Sequence, residues 1–247
     1  MLETALNFRP LGPPEPEGRA RLGPALLYRT GDLVHLSPED ARHLSETLGV
    51  RTYLDLRSED EVLASGPPQA LLDQGITWHR LAIEGYSAAA ISVLQPGPAE
   101  YARYYLEMVE ARVGCFIEAL EFIARRAPLP LAFGCFAGKD RTGVLAMLLL
   151  ALLGFEPEEL ATDYARSAAF LLARAEWFEA KWVKKGISRA QYLVRMETRE
   201  ETCLLFLEEL RRRHGGAREF LGRHGLSTQV QQTLRTRLRA GGPGGST

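Results

Sequence analysis

The sequence predicts an α/β fold, in which a central mixed sheet of four or five strands is covered by helices and the C-terminal half is entirely helical. Four short segments rich in apolar, β-branched and aromatic residues have the pattern of buried strands, and they are residues 25–29, 50–56, 76–83 and 129–133. After residue 140 only helix signals are found. Because strands need helices or a second sheet to cover them, this order favours helices packed on one sheet.

Helix signals are clearest where a capping residue precedes a proline and acids. Ser37 is followed by Pro38 and two acids, which predicts a helix that begins there and ends near Gly49. Residues 96–112 and 113–126 are predicted helices, and Pro157 opens another that runs to about residue 172, followed by more helices to residue 239.

The N-terminal segment predicts a loop. Its prolines are closely spaced, which disfavours a helix, and they lack the N–H groups that a central strand needs. These residues are Pro10, Pro13, Pro14 and Pro16.

Composition limits the domain organisation and the class of protein. The 247 residues, 46% of them hydrophobic, are expected to form one domain over residues 1–240, and the Gly-rich tail 241–247 is expected to be disordered. Thirty basic residues against 31 acidic ones give no general affinity for nucleic acid. Three cysteines favour a reducing compartment, so we expect a cytoplasmic protein, while nothing indicates an oligomeric state.

A membrane-spanning segment is not expected. The longest apolar run, residues 143–154, is much shorter than the roughly 20 residues that cross a bilayer. The N-terminus also lacks an apolar stretch of signal-peptide length. The apolar run is therefore interpreted as a buried helix.

The most informative segment reads Phe-Gly-Cys-Phe-Ala-Gly-Lys-Asp-Arg-Thr-Gly and spans residues 133–143. It lies between the predicted strand 129–133 and a predicted apolar helix over 141–153, so it forms a strand-to-helix turn. In such a turn successive backbone N–H groups can point at one centre, where the helix N-terminus adds its partial positive charge. This geometry predicts an anion site. Its phosphate-binding residues are Phe136, Ala137, Gly138, Lys139, Asp140 and Arg141.

The residue types in this turn predict cysteine-dependent phosphate chemistry. Cys135 is the candidate nucleophile, since a thiolate that attacks phosphorus replaces one difficult step by two easier ones through a phosphocysteine. The helix N-terminus and the guanidinium of Arg141 favour the thiolate. Arg141 can also hold two phosphoryl oxygens with its planar fork. The Thr142 hydroxyl is placed to hydrogen-bond the sulfur.

Two carboxylates are candidates for the general acid that protonates the leaving oxygen. Asp140 lies within the turn itself. Asp55 lies at the end of a predicted strand, where the alternative is a structural ion pair with Arg57. Both interpretations stay open.

No cofactor or metal is expected. The five histidines show no HExxH pattern, and the three cysteines show no CxxC pair. A stretch of aromatic and basic residues at 170–194 is interpreted as amphipathic helix, with a surface for an acidic partner or a lipid head group as the alternative.

Residues 137–143 resemble the phosphate loop of the cysteine-dependent protein tyrosine phosphatases, and in particular the bacterial branch of atypical, dual- or broad-specificity members. Further blocks over residues 5–240 are similar to that branch, namely Asn7-Phe8-Arg9, Tyr28-Arg29-Thr30-Gly31, Asp55-Leu56-Arg57-Ser58 with Glu61, Asp163-Tyr164 with Ser167, and the C-terminal Gly225-Leu226-Ser227. The resemblance implies a tyrosine-phosphatase-like fold, a phosphocysteine intermediate and no metal.

The same resemblance implies the class of substrate. It points to a phosphorylated protein, at tyrosine, serine or threonine, or to a phosphoinositide. The lysine at the position of Lys139 is associated in this branch with multiply phosphorylated lipids, and its charge suits a second phosphate. Arg9, Arg29, Arg57 and Glu61 are interpreted as structural.

Gly134 departs from the family pattern, which has histidine immediately before the nucleophile. That histidine helps to order the loop and to lower the thiol pKa, so its loss predicts a weakened enzyme. The alternative is a pseudophosphatase that binds phosphorylated partners with little turnover. A sulfurtransferase, which also uses a cysteine loop, is a third and more distant alternative.

Overall fold

The computed structural model describes residues 2–14, 22–23, 26–84, 89–91 and 95–239, so the tail predicted to be disordered lies outside the described residues. Its strands are β1 (Arg9–Pro10), β2 (Leu27–Thr30), β3 (Thr52–Asp55), β4 (Thr77–Arg80) and β5 (Leu131–Gly134). They form one sheet in the order β1-β2-β5-β3-β4, in which β1 is antiparallel to β2 and the other neighbours are parallel. The predicted mixed sheet and the α/β class are confirmed.

Strand β1 corrects the loop prediction at Pro10 only, because Pro13 and Pro14 lie in neither a helix nor a strand and Pro16 lies outside the described residues. Arg9 pairs with Arg29, and Pro10 pairs with Tyr28. Proline is tolerated here because β1 is an edge strand, where a missing N–H interrupts no central ladder.

Alternate residues of the central strands face two different layers of helices. Leu27, Leu54 and Phe133 belong to the larger hydrophobic core, whereas Tyr28 and Tyr53 belong to the smaller one. This is the period-two pattern of strands that are buried on both faces.

The described part of the first half contains five α-helices, which are α1 (Pro38–Arg42), α2 (Glu59–Ser65), α3 (Gln69–Asp73), α4 (Pro98–Ala111) and α5 (Val113–Arg125). The predicted cap is confirmed, because the Ser37 hydroxyl accepts a hydrogen bond from the Asp40 N–H at 3.1 Å. The helix predicted to end near Gly49 is not one regular α-helix, since it continues beyond α1 as a π-helix over His43–Thr47.

The described part of the second half is helical after β5, as predicted. Its helices are α6 (Asp140–Leu153), α7 (Pro157–Ala165), α8 (Ser167–Leu172), α9 (Glu179–Lys185), α10 (Arg189–Val194), α11 (Glu200–His214), α12 (Ala217–Arg223) and α13 (Thr228–Leu238). The helix predicted from Pro157 to about residue 172 is interrupted at Arg166, which separates α7 from α8.

Helix α6 is buried on nearly all sides, as the apolar run predicts. Eleven of its 14 residues are buried, because α7, α12 and α13 pack around it. Within the described ranges, no helix combines the length and the apolarity that crossing a bilayer requires. The position of α6 directly behind the strand-to-helix turn fixes the end of that turn.

Candidate active site

Cys135 lies at the carboxyl end of the parallel strands. It follows β5 directly, and β5 is flanked by β2 and β3, so this cysteine lies at the centre of the sheet edge. Helix α6 begins five residues later at Asp140. We refer to residues 135–141 as the phosphate loop. Cys135 is only 2% exposed and therefore lies at the floor of this loop.

The carbonyl groups of the phosphate loop are bound from outside. The Phe136 oxygen accepts a hydrogen bond from the Asp32 N–H at 3.0 Å. The Gly138 oxygen accepts hydrogen bonds from Asn7 Nδ2 at 2.9 Å and from Arg29 Nη2 at 3.0 Å. Asn7 Nδ2 also donates to the Ala137 oxygen at 3.3 Å.

This outward orientation determines where the N–H groups point. In a planar trans peptide the carbonyl of one residue and the N–H of the next lie on opposite sides. The N–H groups of Ala137, Gly138 and Lys139 therefore point to the inside of the loop, and they donate to none of the residues that the structure describes. Together with the N-terminus of α6 they form a cup that suits an anion.

A buried ionic network holds the outer side of the cup. Arg29 Nη1 lies 2.5 Å from Asp163 Oδ2, and Arg9 Nη2 donates to the Ser167 hydroxyl at 2.9 Å. Arg9 also donates to the Asn7 side chain. Burial and the neighbouring Arg29 guanidinium lower the pKa of Arg9. Two guanidinium groups thus face one carboxylate behind the cup, which leaves positive charge where an anion would bind.

Two glycines allow β2 to approach the phosphate loop closely. Gly138 has a φ of +66°, and a Cβ there would contact the Thr30 carbonyl. A Cβ on Gly134 would lie 2.5 Å from the Gly31 oxygen and 2.7 Å from the Thr30 oxygen. The backbone of β2 therefore fills the space that a histidine at Gly134 would need. Glycine at position 134, where the family pattern has histidine, therefore allows this close packing against the loop.

Arg141 is positioned by Glu61. Its Nη1 lies 2.5 Å from Glu61 Oε2, and its Nη2 lies 2.7 Å from Glu61 Oε1. Glu61 also accepts the Ser58 N–H at 2.8 Å in a capping box at the start of α2. Burial opposes ionisation of Glu61, but the hydrogen bonds and the charge of Arg141 prevail and lower its pKa to about 2. From the sequence, Glu61 is interpreted only as a structural residue, and its contact with Arg141 is not predicted.

Asp140 is the first residue of α6 and is partly exposed beside the cup. Its Oδ1 accepts a hydrogen bond from the Tyr105 hydroxyl at 2.7 Å, and that hydroxyl lies 2.7 Å from the hydroxyl of Tyr164. The side chain of Asp140 is 32% exposed. A carboxyl that is anchored on one side and accessible on the other is well suited to proton transfer.

Asp55 is completely buried at the end of β3. It lies 2.7 Å from Arg57 Nη2 and accepts a hydrogen bond from Trp78 Nε1 at 3.0 Å. The ion pair with Arg57 that the sequence offered as an alternative is therefore present. Of the two carboxylates, Asp140 alone is accessible to solvent.

Lys139 and Thr142 make contacts that differ from those expected. The Lys139 ammonium donates to the Arg195 carbonyl at 2.6 Å and lies 3.7 Å from the centroid of the Tyr101 ring. The Thr142 hydroxyl is buried and has no hydrogen-bond partner among the described residues, so the expected bond to the Cys135 sulfur is not formed in this structure. It remains a prediction for the reacting enzyme.

Sequence reasoning missed the parts played by Asn7 and Asp32, which bind loop carbonyls. Asn7 has a left-handed backbone with a φ of +56°, a conformation that asparagine tolerates better than most residues. Its position in a family-like block was the available signal. Asp32 carried no signal, because its contact is made by the backbone. In the described part of the chain no group of three or more His, Cys, Asp or Glu side chains is placed to hold a metal ion.

Comparison with known proteins shows the family. A model described as the tyrosine phosphatase family matches residues 1–240. The chain belongs to the tyrosine phosphatase family. This family consists of phosphoric monoester hydrolases, and the matched range includes the phosphate loop described above.

Individual relatives are distant. A tyrosine-protein phosphatase from Nostoc commune is 29% identical over 235 residues, which are 92% of this chain and 79% of the relative. The triple specificity protein phosphatase PtpB from Mycobacterium tuberculosis is 26% identical over 195 residues, which are 67% of this chain and 68% of the relative. The structure of the core catalytic domain of the PP-IP phosphatase SIW14 from S. cerevisiae, in complex with citrate, has a TM-score of 0.43 and 19% identity, and it covers 74% of this chain and 87% of that one.

The close packing of β2 on the phosphate loop predicts that Gly134 tolerates no side chain. We expect Gly134→Ala and Gly134→His to lower the free energy of unfolding by about 1–3 kcal/mol, because the new Cβ overlaps the Thr30 and Gly31 carbonyls. The measurement is urea unfolding followed by circular dichroism. In the control Gly114→Ala the new Cβ meets no atom within 4 Å, and we expect a change below about 1 kcal/mol. A stable Gly134→His variant with a faster reaction would contradict this packing argument.

The Arg141–Glu61 pair predicts a pH dependence of stability. The pKa of Glu61 falls from 4.5 to about 2 on folding, so its contribution is present above about pH 4.5 and is lost as the pH falls toward 2. Glu61→Gln should therefore lower the free energy of unfolding more at pH 7 than at pH 3. Asp60→Asn, which removes an exposed acid from the same helical turn, is the control. An equal effect of Glu61→Gln at both pH values would show that the pair does not stabilise the fold.

Proposed function

We propose that the chain is a cysteine-dependent phosphomonoesterase that acts through a phosphocysteine intermediate. The observation that carries the proposal is the convergence of the loop N–H groups above a cysteine at the floor of the same loop. Such a cup binds the phosphoryl oxygens and keeps phosphorus in line with the sulfur. The N-terminus of α6 adds its partial positive charge to the cup.

The proposed reaction has two steps. In the first, the Cys135 thiolate attacks phosphorus, the ester P–O bond breaks, and Asp140 gives its proton to the leaving oxygen. In the second, the Asp140 carboxylate takes a proton from water, the water oxygen attacks phosphorus, and the S–P bond breaks to release phosphate and the thiolate. Arg141, held by Glu61, stabilises the charge on the phosphoryl oxygens in both steps.

The proposed substrate is a phosphorylated protein that meets the enzyme in the cytoplasm, with a phosphoinositide as the other substrate class that the family resemblance implies. The contacts of Lys139 weigh against a lipid with several phosphates. Its ammonium is bound to the Arg195 carbonyl and lies 3.6 Å from Asp140, so a second phosphate would have to displace these partners. We therefore propose that Lys139 contributes to the phosphate loop only and does not bind a second phosphate.

Turnover of p-nitrophenyl phosphate tests the proposal. We expect phosphate release that Cys135→Ser lowers by at least about 10⁴-fold, because serine supplies no thiolate. Cys115→Ser, which changes a partly exposed thiol on α5, is the control and should keep full activity. If the wild-type chain binds a phosphotyrosine peptide but releases no phosphate, the chain is a binding module of the pseudophosphatase kind and the proposed activity is wrong.

The assignment of Asp140 as the acid predicts a dependence on the leaving group. Asp140→Asn should lower kcat/KM by about 10²-fold or more for phenyl phosphate and much less for p-nitrophenyl phosphate, whose leaving group hardly needs a proton. Asp55→Asn should instead lower the free energy of unfolding by about 3–5 kcal/mol, because Arg57 loses its buried partner. If Asp55→Asn shows the leaving-group dependence and Asp140→Asn does not, the two roles are reversed.

A further inference from the structure

A cavity of about 460 Å³ lies beside the phosphate loop, and we call it the side cavity. It is lined by Thr4, Leu6, Asp32, His35, Ser65, Phe136, Trp177, Phe178, Ala180 and Lys181. Phe136 follows the nucleophile directly and belongs to both the loop and the cavity wall. The side cavity therefore adjoins the phosphate loop.

The wall of the side cavity is largely aromatic. The rings of Phe136 and Phe178 pack edge to face with centroids 6.0 Å apart. Trp177 is 47% exposed, which is unusual for so large an apolar side chain. Phe178 and Leu6 are almost completely buried, so the apolar surface that faces the cavity is formed by the exposed Trp177 and the partly exposed Phe136. An exposed aromatic side chain beside a concave site favours binding of an apolar side chain.

One basic group stands over this wall. The Lys181 ammonium lies 4.1 Å from the centroid of the Phe136 ring, and it forms no ion pair with any residue that the structure describes. In this respect it differs from Lys139, whose ammonium is buried and bound. His35 adds a second basic group at the rim, whereas Asp32 contributes a carboxyl group whose pKa is raised by burial.

We propose that the side cavity binds the residues next to the phosphorylated residue of a peptide substrate, with an apolar side chain against Trp177 and an acidic side chain on Lys181. This proposal rests on the phosphatase function proposed above. Successive residues of an extended peptide are about 3.3 Å apart, so a residue one or two positions from the phosphorylated one can reach the cavity. The unpaired ammonium complements a single carboxylate.

The charge and polarity of the side cavity favour a peptide over a phosphoinositide. An inositol ring with several phosphates requires several cationic groups and polar walls. The side cavity has mainly apolar walls, and the carboxyl group of Asp32 lines it together with Lys181 and His35. A peptide with one apolar and one acidic side chain satisfies this surface without leaving Asp32 opposite a second phosphate.

A set of phosphotyrosine peptides tests the proposal. Leu or Glu is placed singly at each of the two positions on either side of the phosphotyrosine, in a background of Gly and Ser, and kcat/KM is measured for each peptide. We expect one position at which Leu raises kcat/KM about tenfold and one at which Glu raises it about two- to fivefold. Equal rates for all peptides would overturn the proposal.

Variants connect each preference to its residue. Trp177→Ala should reduce the gain from Leu, and Lys181→Ala should remove the gain from Glu. Lys184→Ala changes an exposed lysine of the same helix outside the side cavity and should leave both gains and p-nitrophenyl phosphate turnover unchanged. If the gain from Glu persists in Lys181→Ala, the role of Lys181 is wrong.

Two further outcomes separate this inference from the function on which it rests. If no peptide and no p-nitrophenyl phosphate is hydrolysed, the proposed phosphatase function fails. The second outcome concerns a phosphoinositide presented in phosphatidylcholine vesicles. If it is dephosphorylated faster than every peptide, and Lys181→Ala lowers the rate for the phosphoinositide but not for the peptides, the phosphatase function stands and the peptide assignment is overturned.

Discussion

The phosphate loop depends on hydrogen bonds that bind its carbonyl oxygens from outside. Asn7, Arg29 and the N–H of Asp32 provide them, and each comes from a segment distant in sequence from Cys135. Because a trans peptide is planar, binding the carbonyl on one side presents the next N–H on the other. A loop of the same sequence without these partners would have no reason to keep its donors convergent. The sheet edge around the loop therefore determines the direction of its N–H groups.

The buried charges behind the loop matter mainly because of where they place a hydrogen-bond donor and positive charge, and less because they stabilise the fold. Arg29 and Asp163 are both almost inaccessible to solvent, and transfer of each charge from water costs several kcal/mol before their attraction is counted. A hydrophobic pair of equal volume could match that stability. It could not donate to the Gly138 carbonyl or leave a net positive charge behind the cup. These two effects explain why polar residues from the blocks around Asn7, Arg29 and Asp163 meet at this point.

Features with local causes could be predicted from the sequence, whereas those that depend on tertiary contacts could not. The Ser37 cap, the strand that precedes Cys135 and the buried helix after it follow from residue types a few positions apart. The pairing of Arg9–Pro10 with β2, and the β2 backbone that occupies the space beside Gly134, depend on partners about 20 and 100 residues away. The orientation of Lys139 toward the Arg195 carbonyl has the same origin.

The guanidinium of Arg141 is held in place by Glu61 before any substrate binds. The Ser58 cap at the start of α2 positions Glu61, and the same Glu61 oxygen accepts both the Ser58 N–H and Arg141 Nη1. Arg141 is thus held by the first turn of α2, the helix that comes after β3 in the chain. Donors fixed before the substrate arrives need no reorganisation as charge develops on phosphorus, and this is where electrostatic stabilisation of a transition state is most effective. The loop carbonyls are bound by Asn7, by Arg29 of β2 and by Asp32 just after β2, whereas Arg141 is bound by Glu61 of α2, which follows β3, so segments beside the two strands that flank β5 hold different parts of the loop.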